Sequence, residues 1–501
     1  MSRQAASFAP QPSPDSATVT PGEWPVVIVG AGPAGLISAI TLARMGVRCL
    51  VVDRRRSTSQ HPRATVLSLH TMELLRRWGL DELVLAGGHD VEWLMSISPT
   101  LREAAGDTED VGYPTTEQSA LISPCQPANV PQDYFEAVLL DHLRTLPAAE
   151  VRLGVELTDL TQTAFGCRIA LRTNDNGSIR DERAHYVLGA DGAHSAVRRA
   201  VGIGMPTSSS QHESISVVVH APLWDLVGPH RYGIYLVDHP NGFATLLPAG
   251  RPDRWVFGFG WDPAREALSD YPRDRLIEMV RSAAGDQQLP IRIDRVGSFA
   301  FVGGMAERFR DGRVILIGDA AHRVTPRGGT GLNTAVADGF NLGWKLAWVI
   351  KGWAGESLLD SYESERRPVA EHNLARSLDP AGSLRPAVDE VQVDLGARLK
   401  HRWLTPFDPE TGSRASTLDL LTDGLTVLTC DPDALSSGPL RPAGVSAPVT
   451  VRRVDAITAR ALGVTPGGSI VLRPDGTPLS SLSESSHLVD TAAGSNIGQR
   501  R

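Results

Sequence analysis

Cysteine is scarce in this chain of 501 residues. The four cysteines, Cys49, Cys125, Cys167 and Cys430, lie far apart, without a CxxC pair or a Cys/His cluster at the spacing of metal ligands. We therefore expect neither a disulfide-based scaffold nor a metal site. Isolated cysteines of this kind fit a reducing compartment, so the sequence predicts a cytoplasmic protein.

Long apolar runs and an excess of basic residues are also missing. No stretch reaches the ~18 uninterrupted apolar residues of a membrane span, and the nearest candidate, LGWKLAWVIKGW at residues 342–353, is short and carries two lysines. The formal net charge of −8 does not favour a nucleic acid as partner. The sequence therefore predicts a protein that binds neither membranes nor nucleic acids.

The two ends of the chain have little apolar character. Residues 1–22 are rich in Ser, Pro, Ala and Thr and lack the apolar segment of a secretory signal, so we interpret them as a disordered extension. Residues 481–501 are rich in serine and are interpreted as a flexible tail. At this chain length, the remaining residues are expected to form more than one domain.

A glycine-rich turn follows the first apolar segment. The β-branched run WPVVIV at residues 24–29 leads into a GxGxxG motif that opens a helical stretch, and a second apolar strand at residues 47–52 ends at Asp53. In such a βαβ unit the glycines permit the tight turn, the approach of a pyrophosphate and close packing of helix and strand. The helix N-terminus and the carboxylate then bind phosphate and ribose. The unit predicts dinucleotide binding by Gly30, Gly32, Pro33, Ala34, Gly35, Asp53 and Arg54.

Two further aspartates come directly after apolar strands. Asp191 and Gly192 follow YVLGA, and Asp319 lies in the segment GDAAH after RVILI. Taken singly, each aspartate could equally be a turn residue or a helix cap. Asp191 and Asp319 together, in this order and with these flanking residues, form a pattern that is far more specific than either aspartate alone. No second GxGxxG motif occurs, so we expect no separate nicotinamide-binding domain.

Several segments of the chain together resemble one enzyme family. They are GAGPAG at 30–35, PRATVLSLHTMELLRRWGL at 62–80, VPQDYFEAVLLDHL at 130–143, ADGAHSAVRR at 190–199, GDAAH at 318–322 and LLDSYESERRPVA at 358–370. On these segments the sequence resembles the class A flavoprotein aromatic hydroxylases, the superfamily of para-hydroxybenzoate and phenol hydroxylases. Within it, the chain is most similar in appearance to bacterial polyketide-tailoring hydroxylases. The resemblance extends from about Val26 to about Ala370 and continues more weakly to the C-terminus.

The resemblance implies a bound FAD and assigns residues to it. Asp319 is implied to bond the ribityl chain, the loop from Pro326 to Asn333 to run beside the flavin ring, and Asp191 to serve both the FAD pyrophosphate and NAD(P)H. The family often has arginine before Thr-Met-Glu, whereas this chain has His70, so an ionic contact there is expected to be lost or made differently. The FAD-binding residues implied in this part are Arg63, Gln132, Leu157, Asp191, Gly192, Asp319, Pro326, Gly329, Gly331, Leu332 and Asn333.

The expected fold class is α/β. The resemblance implies a Rossmann-type, glutathione-reductase-like FAD-binding domain at residues 23–204 and 296–398, with an inserted β-rich substrate-binding domain at residues 205–295. Within the first part, residues 65–145 are helical in pattern. The substrate is expected between the two domains. Candidate lining residues, for which core packing is the alternative, are Tyr232, Tyr235, Phe243, Trp255, Phe257 and Phe259.

The composition shifts after about residue 400. Short strands are predicted within residues 416–430 and 468–476. Residues 399–480 look like the small thioredoxin-like domain of phenol hydroxylase relatives. Because Cys430 stands alone, this domain is expected to be structural, or to form the interface of a homodimer, rather than to be redox-active.

The resemblance also implies a reaction. NADPH or NADH, as a transient reductant, would reduce FAD, oxygen would add to give a C4a-hydroperoxide, and one oxygen atom would pass to an aromatic or polyketide substrate. An anionic peroxyflavin could instead insert oxygen beside a ketone in a Baeyer–Villiger reaction, with Arg63 stabilising the oxyanion as the one catalytic side chain. A flavin-binding partner protein without turnover is the remaining alternative. The sequence does not separate the two oxidations or the two nicotinamides.

Overall fold

The computed structural model describes residues 23–208, 213–239, 242–404, 414–431, 444–465 and 467–479. The extension predicted at residues 1–22 and the tail predicted at residues 481–501 lie outside the described residues. The strands are β1 (Glu23–Val29), β2 (Cys49–Asp53), β3 (Val66–Leu67), β4 (Glu92–Ser98), β5 (Asp107–Asp110), β6 (Ala128–Asn129), β7 (Ala149–Leu153), β8 (Val155–Thr163), β9 (Gly166–Thr173), β10 (Ile179–Gly189), β11 (Glu213–His220), β12 (Tyr232–His239), β13 (Gly242–Pro248), β14 (Arg254–Trp261), β15 (Arg292–Ala300), β16 (Gly304–Met305), β17 (Arg310–Asp311), β18 (Val314–Leu316), β19 (His322–Arg323), β20 (Leu425–Thr429), β21 (Val449–Arg453) and β22 (Ser469–Leu472). The helices are α1 (Pro33–Arg44), α2 (Leu69–Trp78), α3 (Asp81–Leu85), α4 (Thr116–Ile122), α5 (Gln132–Arg144), α6 (Ala196–Ala200), α7 (Trp224–Val227), α8 (Arg273–Ala284), α9 (Gly331–Ile350), α10 (Asp360–Leu378), α11 (Ala387–Leu395) and α12 (Ala456–Ala461).

The first sheet is built around β1. Its order is β17-β18-β10-β1-β2-β7, with β8 and β9 attached through β10, and β1 runs parallel to both β2 and β10. Apart from Glu23 and Asp53 at the strand ends, β1, β2 and β18 consist of apolar residues, as is typical of parallel strands that are covered on both faces. On one face α1 packs against α9, where a Cβ on Gly339 would lie 2.5 Å from the carbonyl oxygen of Ala34. The predicted α/β class and βαβ unit are confirmed.

The second sheet has the order β15-β11-β14-β13-β12-β4-β5. Its core contains Val217, Trp255 and Leu276 of α8. The sheet extends beyond residues 205–295 at both ends, because β4 and β5 join it from earlier in the chain and β15 runs to Ala300. The helical prediction for residues 65–145 is therefore wrong between residues 92 and 110. The strand β4 is stabilised by parallel pairing with β12, a long-range contact that no local pattern reveals.

The C-terminal residues form a small three-stranded sheet. β20 lies at its centre, parallel to β21 and antiparallel to β22. The short strands predicted in this part of the chain are confirmed. Ionic contacts join this unit to α2, where Arg76 pairs with Asp419 at 3.1 Å and Arg77 with Asp423 at 3.0 Å. α9 is the longest helix in the described ranges, and neither it nor any other helix there combines the length and apolar character needed to span a bilayer.

Candidate cofactor and substrate site

The turn between β1 and α1 leaves one of its three motif glycines open. Gly30 has a φ of +113°, and a Cβ there would lie 2.2 Å from the carbonyl oxygen of Ala190. A Cβ on Gly35 would lie 2.0 Å from the carbonyl oxygen of Gly30, whereas a Cβ on Gly32 would meet no atom within 4 Å. Gly30 and Gly35 are therefore needed for packing. Gly32 presents open backbone to a cavity, as the approach of a pyrophosphate requires.

The carboxylate of Asp53, at the end of β2, is held from both sides. Its Oδ2 accepts a hydrogen bond from the backbone N–H of Ala31 at 2.8 Å, and its Oδ1 accepts one from the backbone N–H of Arg55 at 2.7 Å. Burial would raise the pKa of Asp53, but the hydrogen bonds and charge of Arg55 outweigh burial and lower the pKa. The ionised carboxylate is thus fixed on the cavity wall, where ribose hydroxyls can donate to it.

Asp191, after β10, directs its carboxylate into the protein. Its Oδ1 accepts a hydrogen bond from Oγ of Ser195 at 2.5 Å, and its Oδ2 accepts one from the backbone N–H of Ala196 at 2.6 Å. The N-cap residue of α6 is Ser195, and the Asp191 carboxylate binds both this side chain and the first backbone N–H group of the helix. Asp191 and Gly192 both also line the cavity. The side chain shapes this part of the wall instead of projecting freely from it.

Asp319 and Arg63 line the same cavity. The Asp319 side chain is exposed within the cavity but lies deep in the protein, and this desolvation raises its pKa, opposed by the charges of His322 and Arg63. In the described ranges, no residue forms a hydrogen bond or ion pair with the Arg63 guanidinium. Its donors are therefore available to a ligand in the cavity.

Glu136 is a cavity residue that the sequence analysis missed. Its Oε1 accepts a hydrogen bond from Nε2 of Gln132 at 2.7 Å, and its Oε2 accepts one from the backbone N–H of Ser59 at 3.0 Å. Burial raises the pKa of Glu136, against the effect of these hydrogen bonds. Glu136 thereby joins α5 to the loop that carries Arg63. Its position four residues after Gln132, on the same face of a helix, was the available signal.

The glycine-rich loop before α9 is tied to two other parts of the fold. Oδ1 of Asn333 accepts a hydrogen bond from the backbone N–H of Ser68 at 2.8 Å, and its Nδ2 lies 3.3 Å from the carbonyl oxygen of Gly329. The hydroxyl of Tyr113 lies 3.2 Å from the carbonyl oxygens of both Gly328 and Gly329. Asn333 thus anchors the loop to the start of α2, and Tyr113 anchors it to the segment after β5.

These elements enclose a cavity of about 500 Å³ at the carboxyl ends of β1 and β2. Ligands of open α/β sheets bind at this end of the strands. Gly35 and Asn333 lie outside the lining and act through packing and loop anchoring, respectively. The predicted residues that the cavity brings together are Gly30, Gly32, Pro33, Ala34, Asp53, Arg54, Arg63, Gln132, Leu157, Asp191, Gly192, Asp319, Pro326, Gly329, Gly331 and Leu332.

Proteins of known family match this chain over most of its length. The sequence model of the FAD binding domain family matches residues 23–377. A putative polyketide hydroxylase of Streptomyces halstedii is 31% identical, over 92% of this chain and 94% of that protein. Aklavinone 12-hydroxylase RdmE of Streptomyces purpurascens is 33% identical, over 91% of this chain and 94% of that protein. The chain belongs to the class A flavoprotein aromatic hydroxylases.

A solved structure extends the match to the fold. Aklavinone-11 hydroxylase, crystallised with FAD and aklavinone, superimposes on this hydroxylase with a TM-score of 0.80 at 30% identity, covering 93% of this chain and 97% of that one. The present protein is accordingly a flavoprotein monooxygenase with FAD as its cofactor.

The hydroxylase does not place the predicted aromatic residues at the cavity. Phe243 is 64% exposed at the surface. The prediction that these side chains line the substrate site is therefore wrong, and the core-packing alternative holds for the others. Those buried in the core of the second sheet are Tyr232, Tyr235, Trp255, Phe257 and Phe259.

Other residues of the same sheet wall the cavity. Successive side chains of a regular strand point to opposite faces, so core-facing and cavity-lining positions alternate along β13. Leu247 of β13 faces the cavity while its neighbour Leu246 faces the core. The apolar and aromatic residues that line this end of the hydroxylase cavity are Val66, Trp93, Val111, Tyr113, Ile234 and Leu247.

His70 stands where the family often has arginine. Its backbone N–H donates to Oδ2 of Asp394 at 3.1 Å. Desolvation lowers the pKa of the His70 imidazole below its ordinary value of 6.5, so the side chain is neutral at pH 7. At this position a backbone N–H, and not a charged side chain, contacts α11.

Proposed function

We propose that this monooxygenase hydroxylates a polycyclic aromatic substrate of polyketide type, with NADPH or NADH as reductant and O2 as oxidant. One observation carries the proposal: a single cavity joins a wall with Gly32, Asp53 and Asp319 to an apolar end with Trp93 and Tyr113. A ligand in the apolar end would lie next to a cofactor bound along that wall. The names of relatives, which include an aklavinone 12-hydroxylase and a putative polyketide hydroxylase, support this substrate class.

The chain offers suitable groups for each part of FAD. The open backbone of Gly32 and the N-terminus of α1 suit the pyrophosphate, and the carboxylate of Asp53 suits the ribose. We assign Asp319 to the ribityl chain and the loop from Pro326 to Leu332 to the flavin ring. When bound, FAD supplies the transfer of reducing equivalents and the activation of oxygen.

The protein itself binds and orients the substrate and excludes water. Val111, Ile234 and Leu247 give the substrate end an apolar wall, which favours an aromatic ligand over solvent. The Tyr113 hydroxyl, held at the loop carbonyls, keeps a free lone pair that can accept a hydrogen bond from a substrate hydroxyl. The unpartnered guanidinium of Arg63 can hold an anionic group of either cofactor or substrate.

We also propose the domain division expected from the sequence. Residues 23–204 with 296–398 would form the FAD-binding domain and residues 399–480 a thioredoxin-like domain. Residues 205–295 would form the substrate-binding domain, whose sheet also includes β4, β5 and the end of β15. The central position of β20 between a parallel and an antiparallel neighbour supports the last assignment. Its ionic contacts with α2 support a structural role. Sedimentation of the full chain would test whether it also forms a homodimer.

The test of function uses the FAD-loaded enzyme with NADPH, isotopically labelled oxygen and a panel of phenols, naphthols and tri- and tetracyclic hydroxyquinones. We expect a polycyclic ligand to gain one labelled oxygen atom for each NADPH consumed, because the substrate C–H, O2, NADPH and a proton give the C–OH product, water and NADP⁺. Insertion of the atom between a ring carbonyl and its neighbouring carbon would instead indicate Baeyer–Villiger oxidation. A protein that holds no FAD, or that oxidises no ligand, would contradict the proposal.

A further inference from the structure

The strands β4 and β12 contain a bulge at the wall of the cavity. Tyr232 pairs with Glu92 and Ile234 pairs with Met95, so two residues of β4, Trp93 and Leu94, face the single residue Gly233 of β12. Bulges of this kind redirect side chains and are frequent beside active sites. Leu94 packs against the core of the sheet, whereas Trp93 lines the cavity. The bulge therefore directs Trp93 towards the cavity.

Gly233 lets this indole lie directly on the strand. A Cβ at position 233 would lie 3.2 Å from Cε3 and 3.3 Å from Cζ3 of Trp93, closer than ordinary carbon contacts. The backbone of Gly233 itself also lines the cavity. One methyl group at this position would therefore push the indole away by a few tenths of an ångström, towards the cavity that Trp93 lines.

Tyr113 forms the adjoining part of the wall and is fixed. The centroids of the Trp93 and Tyr113 rings are 5.2 Å apart, with the ring planes inclined at 46°. The Tyr113 hydroxyl is held at the carbonyl oxygens of Gly328 and Gly329, each at 3.2 Å. Tyr113 is thus tied to the glycine-rich loop. The position of the Trp93 indole is instead set by its packing on Gly233.

We propose that Gly233 and Trp93 together set the size of substrate that the enzyme accepts. With glycine at position 233, the indole lies back against β12 and leaves room for a fused-ring substrate whose face contacts Trp93 and whose edge reaches Tyr113. A larger residue at position 233 moves the indole into this space and restricts the site to small rings. The inference rests on the proposed function, since it names the residues that select a polycyclic over a single-ring substrate.

The test compares Gly233→Ala with Gly260→Ala, a control on β14 where a Cβ would meet no atom within 4 Å. Dissociation constants for a tetracyclic hydroxyquinone and for a single-ring phenol are measured from the change in flavin absorbance of the FAD-loaded enzyme. We expect Gly233→Ala to weaken binding of the tetracycle at least about tenfold, with the phenol little changed. The control should leave both constants unchanged.

The double variant Gly233→Ala/Trp93→Ala should regain binding of the tetracycle, because the displaced indole is gone. Trp93→Ala alone keeps the proposal testable if Gly233→Ala does not fold, since loss of the contact with the indole should weaken binding of the tetracycle relative to phenol. If the wild-type enzyme binds the tetracycle, and the ratio of its dissociation constant to that of phenol is unchanged in both Gly233→Ala and Trp93→Ala, the inference alone is overturned. A wild-type enzyme that binds no polycyclic ligand would overturn the proposed function and this inference with it.

Discussion

Nε2 of His322 lies 2.5 Å from Oδ2 of Asp338, and both side chains are buried. The other carboxylate oxygen accepts a hydrogen bond from Nε of Arg366 at 2.8 Å, and Oδ2 also accepts one from the backbone N–H of Gly318 at 3.1 Å. Burial would raise the pKa of Asp338, but the charges of His322 and Arg366 outweigh burial and lower the pKa. An ionised residue of α9 therefore holds the loop that presents Asp319.

Replacement Asp338→Asn should destabilise the protein and weaken its hold on FAD. Loss of one member of a buried ionic network costs about 3–5 kcal/mol, and the released Gly318 loop would no longer fix Asp319. Because the folded pKa of Asp338 lies below its ordinary value of 3.8, its stabilising effect is complete above that value and is lost as the pH falls through the folded pKa. Melting temperature and flavin absorbance at pH 7 check this. A variant with wild-type values for both would contradict the role given to the network.

Alanine substitutions of the first two motif glycines should have different effects, one on folding and the other on FAD binding. Gly30→Ala should prevent normal folding, because its Cβ would lie 2.2 Å from a backbone oxygen at a φ of +113°. Gly32→Ala should fold normally, because its Cβ would meet no atom within 4 Å, yet bind FAD weakly, because the methyl group would project where the pyrophosphate is expected. Circular dichroism and the flavin content of the purified variants separate the two effects. Full FAD content in Gly32→Ala would place the pyrophosphate elsewhere.

Arg63→Ala should leave the apoprotein as stable as the wild type and reduce binding or turnover. The Arg63 guanidinium forms no hydrogen bond or ion pair within the described ranges, so its removal breaks no such contact, and changes of this kind usually alter stability by less than about 0.5 kcal/mol. Arg63→Lys keeps the positive charge but lacks the planar guanidinium that can donate two parallel hydrogen bonds. It should therefore retain only part of the wild-type FAD affinity and turnover. Melting of the apoprotein, FAD affinity and the rate of NADPH oxidation are the measurements. Equal rates of NADPH oxidation and equal FAD affinities in the wild type, Arg63→Ala and Arg63→Lys would show that Arg63 binds neither cofactor nor substrate.

Glu365→Gln should reveal an acid-sensitive contact between α9 and the C-terminal unit. Glu365 lies 2.8 Å from Nζ of the buried Lys345 and 2.7 Å from Arg473. Burial would raise the pKa of Glu365, but these two cations outweigh it and lower the pKa from 4.5 to about 2. That difference corresponds to about 3 kcal/mol, present above pH 4.5 and lost as the pH falls towards about 2.

The difference in melting temperature between wild type and Glu365→Gln should therefore narrow when the pH is lowered from 7 to 3, because most of the stabilisation is lost below pH 4.5. Glu371→Gln is the matched control, since Glu371 is an exposed residue of the same helix, α10. It should melt like the wild type at both pH values. A constant difference between wild type and Glu365→Gln across this range would show that the carboxylate charge does not stabilise the contact.

The cofactor wall could be predicted from the sequence because its determinants are local. The turn from Gly30 to Gly35 and the carboxylate of Asp53 belong to a single βαβ unit, whose geometry follows from backbone sterics and strand pairing. Asp191 shows the limit of this reasoning. Its place after a strand is equally typical of a helix cap and of a ligand-binding residue, and only the hydrogen bonds from Ser195 and Ala196 show that its carboxylate binds the start of α6.

The substrate wall could not be predicted because it depends on which face of a sheet meets the cofactor. The aromatic residues Tyr235 and Trp255 are conspicuous in the sequence, but they face the sheet's own core. Strand alternation places residues on two faces without saying which face lines a cavity. Trp93 was missed for a second reason. It lies on a strand whose parallel pairing with β12 and whose bulge are long-range features.

The most direct test of the central claim is the visible spectrum of the purified protein while NADPH is added without oxygen, with and without polycyclic hydroxyquinones. We expect a bound-flavin spectrum that NADPH bleaches, and faster bleaching with a ligand that fits the apolar end of the cavity. Readmission of oxygen should restore the oxidised spectrum and yield hydroxylated ligand. Absence of a flavin spectrum, or a bound flavin that neither NADPH nor NADH reduces with any ligand, would contradict the account.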